Sequence, residues 1–571
     1  MKVLFLARHY TYFRNFESVL HALAARGHTL LLAVEHHHES FGGLQMIEAL
    51  ARQYPAVSYG QAPSRDPEND WSWVATRLRL GFDYLRYQHT MFDDAPTLRQ
   101  RARYRAPGAF VGLGRLAGVP ALGAAVTNAV RAVERAIPGE PAITRYLEAE
   151  CPDVILITPL VDLGSSQVDY LRAARALGIP AAVCVWSWDH LSSKALIRDW
   201  PDRLFVWNTT QQHEAEVLHG VPPSRVVVTG AQCFDQWFGR QPSRDRSTFC
   251  AERGLPADRP LLLYACSALF AGSPVEAQFV VRWLRALRTS GLPALRDCGV
   301  LVRPHPSRLP EWDGVDLSDL QPVVVWGSNP VTTQARADYY DSLYHASAVA
   351  GLNTSAFIEA AIVGRPAFTI LLPEFADNQT GTVHFNYLLN VGGGLLTVAS
   401  DFATHARQLE HALQHRPEPA SEFVRAFVRP LGLDVPATPV FVEHVEALAS
   451  AAAPARSHQL LEPLWRGVAR LLARARHSAR LQPLLCSDRE RIKLRAEAAK
   501  ARRHAERAEA RTDRIARHQA SRDERIHRQA AEDIRKKEAR LDARRRRKEA
   551  AVAERRGTLR GHARRDIAVK E

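Results

Sequence analysis

The chain has 571 residues, 46% of them apolar and 24% charged, and a formal net charge of +14, which is long enough for two or three domains with full cores. The charge is concentrated at one end: residues 487–571 hold 29 Lys and Arg against 16 Asp and Glu, a net of +13, which leaves +1 for the first 486 residues. Seven scattered cysteines without a CxxC pair argue against a disulfide framework or a cysteine-held zinc, and no apolar run has the length of a signal-peptide core or a membrane span.

In chain order, residues 2–7 are predicted as a buried strand, 16–26 as an amphipathic helix stopped at Gly27, and 29–34 as a second strand, completing a β-α-β unit. The run His36-His37-His38 sits between Glu35 and Glu39. Consecutive residues on an extended chain do not readily converge on one ion, so this reads as a solvent-facing loop, and Asp93-Asp94 is equally weak; no metal is expected. Residues of about 60–150 are rich in Trp, Tyr and Arg and read as a helical insertion.

Alternation then resumes, with strands over 153–158, 181–186, 203–207 and 225–229 and helices over 167–177 and 211–218. After a Gly/Pro/Arg-rich linker, strands follow over 261–265, 299–302, 322–325, 348–352 and 367–371, and a helix over 436–448 closes this second series. Alternating strands and helices imply parallel sheets covered on both faces. The fold class is therefore α/β: two Rossmann-like doubly wound domains facing a cleft, residues 1–238 and 261–450, joined by a linker over 239–260.

Two basic elements follow. Over 459–485 lies an amphipathic helix, with Leu461, Leu464, Trp465, Val468, Leu471 and Leu472 on one stripe and Arg466, Arg470 and Arg474 opposite. The stripe suits either an anionic membrane surface or packing on the body. Residues 487–571 lack aromatics and have charge pairs four apart, such as Glu524–Arg528 and Glu532–Lys536. They form an Arg-rich helix or a disordered tail, with Ile515, Ile526, Ile534 and Leu541 as a weak self-association seam.

The chemistry is expected where strands empty into loops. Asn353 or Thr354 can cap a helix whose first N–H groups meet an anion, with Ser355 and Glu359 on one face of its first turn. Arg303-Pro-His305-Pro ends a strand and offers a guanidinium fork and an imidazole to phosphate, and Ser267 opens a small-residue loop. In the first domain, Trp186-Ser-Trp-Asp189-His190 leaves a buried strand, so Asp189, or alternatively His9 after the first strand, can serve as general base.

Taken together, the Arg303–Pro306 and Asn353–Glu359…Gly364-Arg365-Pro366 segments and the two α/β series resemble GT-B glycosyltransferases. The likeness is to bacterial surface-polymer transferases: the CDP-glycerol glycerophosphotransferases of teichoic acid synthesis and capsule-type sialyl and Kdo transferases. The resemblance implies that His305, Thr354 and Ser355 hold the donor's phosphates. It implies a metal-independent transferase moving a sugar or sugar-like group from a nucleotide-activated donor to a cell-surface glycan or lipid-linked acceptor. The nucleotide sugar is then a substrate, and no cofactor is expected. Two other readings are a non-hydrolysing UDP-GlcNAc 2-epimerase and a non-catalytic protein with a polybasic tail. The expected location is cytoplasmic, with residues 459–571 meeting the anionic inner face of the cell membrane; nucleic acid is not the expected partner.

Overall fold

A computed structural model describes residues 1–36, 42–117, 120–415, 417–451 and 462–565. His37, His38, Glu39 and the start of the amphipathic stripe, including Leu461, lie outside the described residues. The first sheet comprises β1 (Lys2–Ala7), β2 (Thr29–Val34), β3 (Val57–Gln61), β4 (Val154–Thr158), β5 (Ala181–Cys184), β6 (Arg203–Val206) and β7 (Val226–Val228). It runs in the order β3-β2-β1-β4-β5-β6-β7, with every pairing parallel. Leu4 lies opposite Leu31 on one side and Ile155 on the other, and Val3–Ala7, whose side chains alternate between the two faces, are all apolar and buried, as a sheet covered by helices requires.

The second sheet comprises β8 (Leu261–Ala265), β9 (Gly299–Arg303), β10 (Val323–Val325), β11 (Ala348–Ala350), β12 (Ala367–Ile370) and β13 (Leu396–Ala399). Its order is β10-β9-β8-β11-β12-β13, again all parallel. Both sheets therefore have the doubly wound order, which reverses direction beside β1 and beside β8. The crevice outside the carboxyl ends at such a reversal is where open α/β sheets take ligands.

Two boundaries differ from the sequence reading. The helix Ala437–Ala449 does not close the second domain but returns to the first. There Phe441 packs 4.9 Å from Phe205 and 6.0 Å from Phe16, and Glu446 accepts from Arg26 and His28 at 2.8 Å. The linker holds a helix, Arg246–Ala251, whose Phe249 and Cys250 join the second domain's core. The amphipathic helix Glu462–Arg474 seats Trp465, Val468, Ala469, Leu472 and Ala473 on the insertion, while Leu464 and Leu471 remain 60% and 66% exposed. Its apolar stripe is thus mostly used in packing.

The insertion is five helices, Asp70–Arg86, Pro96–Arg105, Gly108–Ala117, Pro120–Arg135 and Pro141–Glu150. A buried ion network ties it to the sheet's covering helix Val168–Leu177. Asp169 takes Arg65 at 2.7 Å and Arg79 at 2.7 Å, Arg79 and Arg172 share Glu134, and Arg172 and Arg135 share Asp199. Burial alone would raise Asp169, but Arg79 and Arg65 hold it well below the ordinary carboxylate range. The remaining helix, Asp488–Arg565, forms a unit of its own from Arg489 onward. No helix among the described residues is long and apolar enough to cross a membrane.

Candidate functional site

The loops after β1 and β5 build one wall of the cleft. Rings follow one another from His9 to Tyr12 (4.6 Å), Tyr12 to Trp186 (4.9 Å) and Trp186 to His190 (5.1 Å). Asn15 locks the two loops by donating Nδ2 to the Trp186 carbonyl at 2.9 Å, while the Nε1 of Trp186 is buried without a partner. Asp189 accepts from the hydroxyls of Ser187 (2.7 Å) and Ser193 (3.0 Å). Burial would raise its pKa, but the Lys194 ammonium foremost, together with the donating Ser187 hydroxyl, holds it far below the ordinary range, so it is a fixed anion near neutrality. The His190 and His384 rings are buried and pushed down to about 4, so they are neutral there.

The second domain supplies the facing wall. Gly351 follows β11 because a Cβ there would stand 2.7 Å from the carbonyl oxygen of Ala265 at the end of β8. The helix Ala356–Ile362 begins at Ser355, whose exposed hydroxyl makes no capping bond. Glu359, one turn on, accepts from the Tyr339 hydroxyl and is pushed up to about 7, chiefly by burial. A cavity between the domains is lined by Ser355, Glu359 and Tyr339 opposite Arg14, Asn15 and Trp186, with Trp188, Trp207, Trp237, Arg240 and Arg336 around it.

Other expected contacts are not in that cavity. Asn353 does not cap the helix: its Nδ2 donates to the Asn378 carbonyl at 2.5 Å, and Thr354 accepts instead, from the Ala356 N–H at 3.3 Å. Ser267 is fully buried, its hydroxyl accepting from the Asn353 N–H and its own N–H held by Glu276, so it does not reach a ligand. Arg303 is 7% exposed and faces inward. Its guanidinium donates to the Ser342 hydroxyl and the Ser328 carbonyl, and lies 5.0 Å from the Tyr339 ring. Gly327 leaves the room, since a Cβ there would meet the guanidinium carbon at 2.5 Å. His305 caps the short turn that follows it, accepting at Nδ1 from the Ser307 N–H. Arg303 thus supports Tyr339 from behind, and neither it nor His305 lines the cavity with Ser355.

The side chains missed in the sequence are the cavity's arginines. Arg14 makes no ion pair or hydrogen bond with a described residue; burial pushes its pKa down, Glu359 opposes this and Arg336 adds to it. Arg336 crosses the cleft to Glu17 at 2.5 Å, and Arg240 lies over the Tyr340 ring at 4.8 Å. The position of Arg14, in the aromatic segment Tyr10–Phe16 directly after the first strand, was the available signal. Among the described residues no three His, Cys, Asp or Glu side chains gather as a metal-ligand set.

No protein-family model and no curated protein matches the chain. Solved structures similar to it include MnaA of S. aureus with UDP, at 11% identity and a TM-score of 0.45, covering 80% of this chain and 99% of that one. Another is a glycosyltransferase from Rickettsia africae ESF-5, at 10% identity and a TM-score of 0.46, covering 79% and 99%. A third is WaaG, a glycosyltransferase involved in lipopolysaccharide biosynthesis, at 13% identity and a TM-score of 0.39, covering 79% and 100%.

Proposed function

We propose that the protein is a GT-B glycosyltransferase that uses a nucleotide-activated sugar and modifies a cell-surface glycan or a related acceptor. The observation that carries this reading is Arg14: a guanidinium with no ion pair or hydrogen bond among the described residues, beside Arg336 and Arg240, in a tryptophan-lined cavity where the carboxyl ends of two doubly wound sheets meet. A desolvated cation so placed is relieved by an anion, and the phosphates of a nucleotide sugar supply one, while the indoles offer faces to the base and the sugar.

In this reading the acceptor hydroxyl attacks the anomeric carbon, the bond to the phosphate oxygen breaks, the hydroxyl proton passes to a first-domain base, and the nucleotide leaves as an anion. Arg14, Arg336 and the Ser355 hydroxyl stabilise that departing charge, the largest contribution to rate in this design. His9 is assigned as the base. Asp189, held far too acidic to take a proton efficiently near neutrality, is assigned to orienting Lys194 and the neighbouring imidazoles. The basic residues beyond 487 are assigned to holding the enzyme near anionic lipid or polymer, at roughly 1 kcal/mol for each residue engaged.

A thermal-shift panel of UDP-, CDP-, GDP- and CMP-linked sugars tests this. One nucleotide class should raise the melting temperature, and Arg14→Gln should remove most of that rise. If no member stabilises the protein at millimolar concentration, the reading fails. If UDP-GlcNAc yields the epimeric sugar in place of free UDP, the enzyme is an epimerase and not a transferase.

A further inference from the structure

A second cavity, of about 530 Å³, lies away from the cleft in the helical insertion, within the range of about 300–1,000 Å³ of small-ligand sites. The helices Asp70–Arg86 and Pro120–Arg135, residues 88–92 and the end of the helix Thr209–His219 form its walls. Phe82, Leu85, Phe92 and Leu196 are buried apolar lining residues. Two large apolar side chains that would ordinarily be covered stand among its lining residues: Met91 and Val217, 41% and 48% exposed.

The polar end is a single helix face. Arg131 has its guanidinium carbon 5.4 Å from the Phe82 ring centroid and its Nε buried without a hydrogen-bond partner. No carboxylate lies within ion-pair range of it among the described residues, Asp199 being taken by Arg135 and Arg172. Thr127 and Asn128, four and three residues earlier, share that face and also line the cavity. Across from them, the terminal nitrogens of Arg86 are turned to the carbonyls of Lys194 and Ala195 at 2.8 and 3.0 Å and to that of Leu191, so those donors are engaged although its charge remains. His219 accepts the Ile197 N–H at Nδ1. The cavity thus combines a cation without an ion pair among the described residues, an apolar lining and an apolar rim, and the occupant that complements all three carries one negative head and one long apolar chain.

We propose that this cavity binds an anionic amphiphile, with its phosphate monoester or carboxylate head on Arg131, Thr127 and Asn128 and its single alkyl or isoprenoid chain along Phe82 and Leu85, leaving past Met91 and Val217. The site is separate from the cleft and does not depend on the nucleotide reading.

Calorimetric titration of the full chain with dodecyl phosphate below its micellar concentration tests it, alongside dodecanoate, dodecanol and inorganic phosphate. Dodecyl phosphate or dodecanoate should saturate one site, and the tighter of the two identifies the head as phosphate or carboxylate. Dodecanol and inorganic phosphate, each lacking one half of the recognition, should bind at least about tenfold more weakly. Arg131→Gln should cost about tenfold, the loss expected for one charge-assisted contact. Ala124→Trp, which fills the cavity from its exposed side, should abolish binding with the circular dichroism spectrum unchanged. The proposal is overturned if neither anionic amphiphile binds, or if both variants bind as well as the parent.

Discussion

His405 shows how a single buried group sets a pH response without touching the cleft. It is 1% exposed, both ring nitrogens lack hydrogen-bond partners, and its neighbours include Trp283 and Phe368, each about 6.3 Å away. Burial alone pushes its pKa from 6.5 down to about 3, so the folded chain refuses a proton that the unfolded chain accepts. Stability tied to this residue is fully present above pH 6.5 and is lost as the pH falls toward 3, at roughly 1.4 kcal/mol per pH unit. Urea denaturation between pH 7 and pH 4 should show this decline, and His405→Phe should flatten it while leaving stability at pH 7 unchanged or raised. An equally steep decline in the variant would assign the acid sensitivity to other groups, His190 and His384 first. The opposite sign belongs to Glu35, Glu214, Glu276 and Glu359, each raised to about 7 by burial: they favour the fold below pH 4.5 and lose that contribution as the pH rises through 7.

At the scale of elements, the ion network around Asp169 decides whether the insertion stays seated. Removing one member of a buried pair costs about 3–5 kcal/mol because the other charge is left uncompensated. Asp169→Asn strands Arg65 and leaves Arg79 with only Glu134, which it shares with Arg172, and should destabilise the chain by that order in chemical denaturation. Hydrogen exchange should rise first over the helices Asp70–Arg86 and Pro120–Arg135. Asp93→Ala removes only an exposed partner of Arg99 and should change stability by less than about 1 kcal/mol. The network was not legible in the sequence, because arginines in the insertion pair with acids up to 104 residues away. The sheets were far more legible. A strand buried on both faces reads as a continuous apolar run, as β1, β4 and β8 do. The two missed strands, β3 and β13, are edge strands at the ends of their sheets, with half-exposed, mixed sequences such as Val-Ser-Tyr-Gly-Gln. In the site, Ser355 and Glu359 were legible from helix-start chemistry. The inward turn of Arg303 and the pairing of Arg14 with a wall from the other domain were not, since packing between distant segments fixes both.

For the whole molecule, charge and stability reside in different parts of the chain. Residues 487–571 carry +13 of the +14, and from Arg491 onward every side chain described in the helix Asp488–Arg565 is exposed. That helix is supported by its own pairs, Glu524 with Arg528 at 2.7 Å and Glu532 with Lys536 at 3.0 Å, each contributing about 0.2–0.5 kcal/mol. The residues just before it behave differently: Cys486 and Ser487 are buried, and Ser487 bridges to Pro107. A chain ending at Asp488 should therefore keep the melting temperature of the intact protein and any nucleotide-dependent stabilisation of the cleft. Its retention on a polyanion such as immobilised heparin should collapse, because binding of that kind follows the number of neutralised phosphates or sulfates and weakens steeply with salt. The intact chain should elute only at high salt, and the shortened chain, left with a formal charge of zero, near the void volume. A shortened chain that melts several degrees lower would place part of the body's stability in the terminal helix, and one that still elutes at high salt would place the polyanion-binding surface on the α/β body.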